Sequence, residues 1–406
     1  MRFSIRPPHG WRCPSSLVVV GLASALAGAP SPAATVGESV AAIRAVDHEG
    51  KGNVAAAAAW KVLAAAPPSS LPDVLAAMDG ANPLAANWLR AAVDSIVARA
   101  GGAGKVPLDA LERFLADVKH DPRARRLAFD LVKEADPSRA EKLLDGMAED
   151  PSVELRRDAV AKLVAAAKAL EAAGSKEEAL AAYRRAFGAA RNVEQIQALA
   201  TSIRDLGGEV DLTRHFGFLR SWRIIGPFDN TGGKGFAAVY PPETAIDPAA
   251  ELDGKEGKVA WQPVESGDEY GVVNVNLVYP PPAPPADAKA AEGESKEGLK
   301  GVVAYAVTEF DAAEARTAEL RLGCKNAWKI WLNGAPVFER EEYHRGMEID
   351  QYRMPIRLRK GPNTILVKIC QDEQRRPWTT EWEFQLRVCD EVGTAIHPAG
   401  APAASR

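Results

Sequence analysis

The chain has 406 residues, 47% of them hydrophobic and 26% charged, which is enough apolar material for two or three domains with their own cores. A formal net charge of −4 and a sequence pI of about 6.0 argue against a general cationic surface for nucleic acid or anionic membrane.

Arg2, Arg6 and Arg12 precede an apolar run from Ser16 to Ala29 that is too short to span a bilayer as a mature helix. Small residues follow. Residues 1–34 therefore read as a signal peptide cut after Ser31-Pro32-Ala33 or Pro32-Ala33-Ala34, and the mature protein as extracytoplasmic, periplasmic or secreted. An uncleaved N-terminal anchor is the alternative. No later window reads as a membrane span. Cys13 leaves with the signal, and Cys324, Cys370 and Cys389 form an odd set without metal-ligand spacing. Cys370 and Cys389 end two successive strand patterns, so a disulfide between them and free thiols are both open readings.

From residue 35 to 215 the chain is rich in Ala and Leu with helical periodicity, and proline sits at helix starts. Asp121-Pro122, Asp136-Pro137 and Asp150-Pro151 each supply a capping carboxylate followed by proline at the first helical position. Leu206-Gly207-Gly208 ends the last long helix. These residues predict a stack of antiparallel helix pairs, an α-solenoid-like region suited to docking a protein.

At about residue 216 the composition changes. Trp222 to Phe228, Val259 to Trp261, Gly271 to Leu277, Val302 to Phe310, Thr317 to Leu322, Met354 to Leu358, Thr364 to Ile369 and Trp382 to Val388 read as strands. Tyr240 to Glu243 reads as an extended surface segment. Residues 280–298 are a low-complexity Pro/Ala-rich insert read as a disordered loop, and 398–406 as a flexible tail. The strongest local signal is Asn333-Gly334 between two apolar runs, which predicts a hairpin with a type I′ turn. Trp328, Ile330 and Leu332 alternate with Lys329, Trp331 and Asn333, giving the strand one apolar and one mixed face. The fold class expected is multidomain α plus all-β: a helical repeat, then an antiparallel β-sandwich over residues 216–397.

Several of these residues carry a resemblance. The helix after Asp150 resembles part of a HEAT repeat, and Gly174 to Ala186 resembles half a tetratricopeptide repeat. Tyr305-Ala306, Leu320-Arg321-Leu322-Gly323, Trp331-Leu332-Asn333-Gly334, Leu358 to Asn363 and Leu366-Val367-Lys368 together resemble a galactose-binding-like jelly roll. Such modules accompany glycoside hydrolases, as in the β-galactosidase and β-glucuronidase family, so the resemblance implies carbohydrate binding. Related lectin modules hold calcium with paired aspartates before this hairpin. Here Cys324-Lys325-Asn326 stands in that place, and a lysine is no ligand for a hard cation.

A sugar-binding face needs flat aromatic rings with polar neighbours. Trp331 sits on the mixed strand face; Tyr343, His344, Arg345 and Asp350 lie in the loop Glu339 to Asp350; Trp378 lies in the loop Gln371 to Thr380. These six are the candidate carbohydrate-binding residues. Trp328 and Trp382 read as core. Neither Gly-x-Ser-x-Gly nor His-Glu-x-x-His occurs, and no carboxylate pair is placed to face across a cleft. The sequence thus points to a non-catalytic glycan-binding protein, with no cofactor or metal called for. A structural protein–protein module is the alternative, and a hydrolase a distant third.

Overall fold

The computed structural model describes residues 35–280 and 298–401. The expected signal segment, the core of the Pro/Ala-rich stretch and residues 402–406 lie outside them. A helical region precedes a β-rich one, and the chain divides into two compact units, Met1–Ala100 and Gly101–Arg406.

The first unit holds α1 (Val36–Arg44), α2 (Asn53–Ala64), α3 (Leu71–Ala76) and α4 (Pro83–Ala100). Ile43, Leu63, Leu71, Leu89 and Val93 are fully buried there, interleaved with Ala56, Ala85 and Ala92. Small side chains at such positions bring helix axes close, which accounts for the alanine content without a ligand. Thr35 and Glu38 close a capping box at the start of α1.

The second unit opens with α5 (Leu108–Ala116), α6 (Pro122–Ala135), α7 (Pro137–Leu143), α8 (Val153–Ala172), α9 (Lys176–Ala189), α10 (Val193–Asp205) and α11 (Leu212–Phe216). Asp121 and Asp136 cap α6 and α7 with proline at the first turn, as predicted. Asp150 does not cap α8; Ser152 does. Asp150 is instead buried against Arg125, accepting from its two terminal nitrogens at 2.5 and 2.6 Å. A buried guanidinium left without a carboxylate costs more than a missing cap, so the ion pair takes the aspartate. Gly207, at φ +81°, ends α10, and Gly208 donates to the Ile203 carbonyl.

Twelve strands follow among the described residues: β1 (Ser221–Asp229), β2 (Glu251–Asp253), β3 (Lys258–Ala260), β4 (Gln262–Glu265), β5 (Val273–Asn274), β6 (Val302–Ala312), β7 (Arg316–Cys324), β8 (Ala327–Leu332), β9 (Ala335–Arg340), β10 (Tyr352–Leu358), β11 (Gly361–Gln371) and β12 (Glu383–Cys389). They build a six-stranded sheet, β4-β1-β6-β11-β8-β9, a four-stranded sheet, β10-β7-β12-β5, and the β2-β3 ribbon. Each pairing is antiparallel. One apolar core draws on both larger sheets, with Ile224, Phe310, Trp328, Ile330 and Val367 from the first and Leu320, Leu322, Phe384 and Leu386 from the second. Trp328 and Trp382 are fully buried in it. The outer face of the six-stranded sheet carries a second apolar cluster, Ile225, Val303, Tyr305, Trp331 and Leu366, covered by Phe236, Tyr240 and Trp261 from the chain between β1 and β4.

Asn333 and Gly334 form the two-residue turn between β8 and β9, with φ of +53° and +80° as a type I′ turn requires. Two further readings are corrected, and one left open is decided. Residues 271–277 are not one strand: β5 stops at Asn274, whose side chain accepts from the Asn276 amide and starts a helical turn. Tyr240 to Glu243 is not an extended surface segment, because Pro241–Thr244 turn helically and Pro242 is buried. Cys370 and Cys389 are not bridged: both are free and buried, as is Cys324, and they belong to different sheets. Of the expected tail, Ala399 donates to the Asp311 carbonyl.

Candidate functional site

The outer face of the six-stranded sheet is left open at one place, a groove with a cavity volume of about 1050 Å³. Its floor comes from β1, β6, β8 and β11, through Arg223, Val307, Glu309, Trp331, Thr364 and Leu366. One wall is the segment from Pro242 to Pro248; the other sides are β4 and the Asn333-Gly334 turn with Arg359. Trp331, 9% exposed, lies between Leu366 and Pro336 in the pairing register.

The polar groups around this groove fall into two kinds. Some are engaged by their own chain. Glu265 accepts from the Ser221 hydroxyl and lies 3.6 Å from Arg220, and Arg359 donates through Nε to the Pro362 carbonyl at 2.8 Å. The side chains of Arg223 and Glu309 have no hydrogen-bond or ion-pair partner among the described residues. An aromatic ring beside unengaged hydrogen-bonding groups is the usual make-up of a small-molecule groove.

Beneath the wall lies Lys368, the one charged residue in the apolar strand Ile365-Leu366-Val367-Lys368-Ile369-Cys370. It is fully buried and donates to the Phe236 carbonyl at 3.1 Å, the Ala238 carbonyl at 2.6 Å and Glu243 Oε1 at 2.8 Å. Tyr305 donates its hydroxyl to the same Oε1. The rings of Tyr240 and Tyr305 lie 5.4 and 5.6 Å from the ammonium, within cation–π range. Burial, followed by the Glu243 carboxylate, pushes the Tyr305 hydroxyl well above the usual tyrosine range.

Of the six candidate residues, only Trp331 lines this groove. Tyr343 packs against the same outer cluster, its hydroxyl accepting from Asn230 at 3.2 Å, and burial pushes it up to about 12. His344 meets Asp372 at 2.6 Å, so the loops Glu339 to Asp350 and Gln371 to Thr380 do converge, but outside the groove. The Arg345 side chain is 62% exposed and lies 3.3 Å from Glu342. Asp350 is buried against Arg321 and Arg387 beside the four-stranded sheet. Trp378 is 67% exposed in the middle of the turn Pro377–Thr379. Lys325 sits between Glu381 and Glu383, at 2.6 and 3.3 Å. Among the described residues no group of three or more His, Cys, Asp or Glu side chains is set to hold a metal, and no helix is long and apolar enough to cross a membrane.

Sequence reading missed Arg223, Glu243, Glu309 and Lys368. The lone lysine in an apolar strand was a visible signal for the last; the others come from segments that only the sheet order brings together.

No protein-family model matches the chain, and no curated protein matches it. Solved structures similar to parts of it include a family 35 carbohydrate-binding module from an environmental isolate, at 17% identity and a TM-score of 0.19, covering 29% of this chain and 84% of that one. A family 35 module from Clostridium thermocellum matches at 13% identity and a TM-score of 0.17, covering 29% and 97%. A β-glucosidase from Kluyveromyces marxianus matches at 13% identity and a TM-score of 0.18, covering 22% of this chain and only 11% of that enzyme.

Proposed function

We propose that the chain is an exported, non-catalytic binding protein. In this reading its two larger sheets form a galactose-binding-like β-sandwich of jelly-roll type, and carbohydrate lies in the groove beside Trp331. Residues 35–215 form a HEAT- and tetratricopeptide-like helical repeat that docks a protein partner. The observation that carries the proposal is the grouping of Trp331 with the unengaged Arg223 and Glu309 in one groove. A pyranose stacks an apolar face on an indole and offers hydroxyls as donors and acceptors to its rim. A binding rather than hydrolytic role is supported by the fixing of Glu243 through Oε1 and of Glu265 by groups of their own chain, which leaves Glu309 as the one groove carboxylate with no side-chain partner among the described residues. A glycosidase needs one carboxyl free to give a proton and another free to attack or activate water.

The test is retention of the whole chain on a panel of immobilised polysaccharides. Trp331→Ala and Arg223→Ala should each weaken retention by about tenfold or more, the loss of roughly 1.4 kcal/mol, while Trp378→Ala leaves it unchanged. Retention on no glycan, or retention indifferent to Trp331 and Arg223, overturns the carbohydrate reading. Recovery of a protein partner with no glycan bound would favour the alternative, a structural protein–protein module.

A further inference from the structure

The Lys368–Glu243 pair is more than packing needs. Exchanging a buried ion pair for apolar residues of similar volume is often neutral or stabilising, so burial alone gives no reason to keep one. The distribution of its hydrogen bonds is uneven. Lys368 and Tyr305 both donate to Oε1 of Glu243, and Oε2 has no partner among the described residues. A carboxylate offers about four acceptor positions, and here two are used, both on one oxygen. The side chain is 10% exposed, and Glu243 lines the groove.

We infer that Glu243 is the fixed hydroxyl acceptor of the groove, with Lys368 and Tyr305 as positioning residues that hold its carboxylate; this rests on the carbohydrate reading above. The two donors leave the carboxylate one orientation, and the backbone carbonyls of Phe236 and Ala238 hold the ammonium under the wall it supports. A sugar hydroxyl that meets Oε2 then pays little to orient its acceptor, which is the advantage of preorganisation. The chemistry also selects. The Lys368–Glu243 pair is neutral as a whole, so an uncharged pyranose with a donor hydroxyl fits, whereas a uronate carboxylate at that place would face another carboxylate with no proton between them.

The test uses the whole chain with two probes, neutral galactan and polygalacturonate. Glu243→Gln alone strands a buried ammonium, so the informative variant is Glu243→Gln with Lys368→Met, which keeps the site neutral and turns the free acceptor into a donor. Because Lys368→Met also takes the donor from the Phe236 and Ala238 carbonyls, circular dichroism at the assay temperature first shows that the double variant is folded. Its galactan retention should fall about tenfold, and its ratio of galactan to polygalacturonate retention should fall with it. Tyr305→Phe, which leaves Glu243 charged, should lower galactan retention by a smaller factor. A folded double variant with the parent's retention and ratio overturns the role of Glu243 while leaving the groove reading intact, provided Trp331→Ala still weakens retention about tenfold or more. A parent chain retained by neither probe overturns the inference; retention on no polysaccharide of the wider panel overturns the reading beneath it as well.

Discussion

Asn333, at the tip of the β8–β9 hairpin, donates to Asn363, near the start of β11, side chain to side chain at 3.1 Å. Asn363 is fully buried and donates to the carbonyls of Phe310, Arg359 and Gly361, and Asn333 Oδ1 accepts from the Thr364 amide at 3.0 Å. Two turns that looked like separate motifs in the sequence are one hydrogen-bonded corner. Asn363→Ala leaves those carbonyls without that donor and is expected to lower stability by about 2–3 kcal/mol. Gly334→Ala, with open space around the new methyl but φ at +80°, should cost about 1–2 kcal/mol of backbone strain alone. Urea titrations of both variants check the order.

Asp350 accepts from Arg387 through two bonds of 2.6 Å and from Arg321 at 2.7 Å. Burial opposes its ionisation, but the hydrogen bonds and charge of Arg387, then those of Arg321, outweigh it and hold the carboxyl below its ordinary 3.8. The stability this provides is present above about pH 4 and is lost as pH falls through the lowered value. Asp350→Asn should cost about 3–5 kcal/mol at neutral pH. Guanidinium titrations at pH 7 and pH 3 should find the gap between parent and variant narrowed in acid.

His215 behaves in the opposite sense. Burial first, and then the charge of Arg191, push it down from 6.5 to about 4, and its Nε2 lies 3.1 Å from the Ala190 carbonyl. Between pH 6.5 and 4 the unfolded chain binds a proton there that the folded chain does not, so stability falls as pH falls across that window. At 1.36 kcal/mol per unit the full interval is worth roughly 3 kcal/mol. His215→Gln should flatten the pH dependence of the melting temperature between those limits and leave the steeper loss below pH 4 in place.

Burial pushes Cys324 and Cys370 up to about 12 and Cys389 up to about 11. The thiolate is the reactive form, so all three should resist alkylation in the native chain. Peptide mass spectrometry after iodoacetamide should find them unmodified, and fully modified once guanidinium is added without any reductant.

What could be read from the sequence was local. Trp328, Ile330 and Leu332 announced a buried strand face, Asn333-Gly334 announced its turn, and Asp121 and Asp136 announced helix starts, because each rests on neighbours within a few residues. Asp150 was misread because its partner, Arg125, lies 25 residues back. Asp350 looked like a loop carboxylate because Arg321 and Arg387 reach it from two strands paired only in the folded sheet. The groove was hidden for the same reason: its floor takes residues from four strands that span Arg223 to Leu366.

The guanidinium of Arg387 crosses from β12 to the Phe216 carbonyl at 3.0 Å and lies over the Phe216 ring at 5.4 Å. Arg191, in the link between α9 and α10, donates to Thr394 beyond β12 at 3.0 Å. The change of composition near residue 216 is therefore a seam in the text and not in the object. A chain severed there would carry a buried charge short of its acceptor and an aromatic ring stripped of its cover. The compact piece begins instead at Gly101, where the helices from Leu108 onward and the strands belong to one unit.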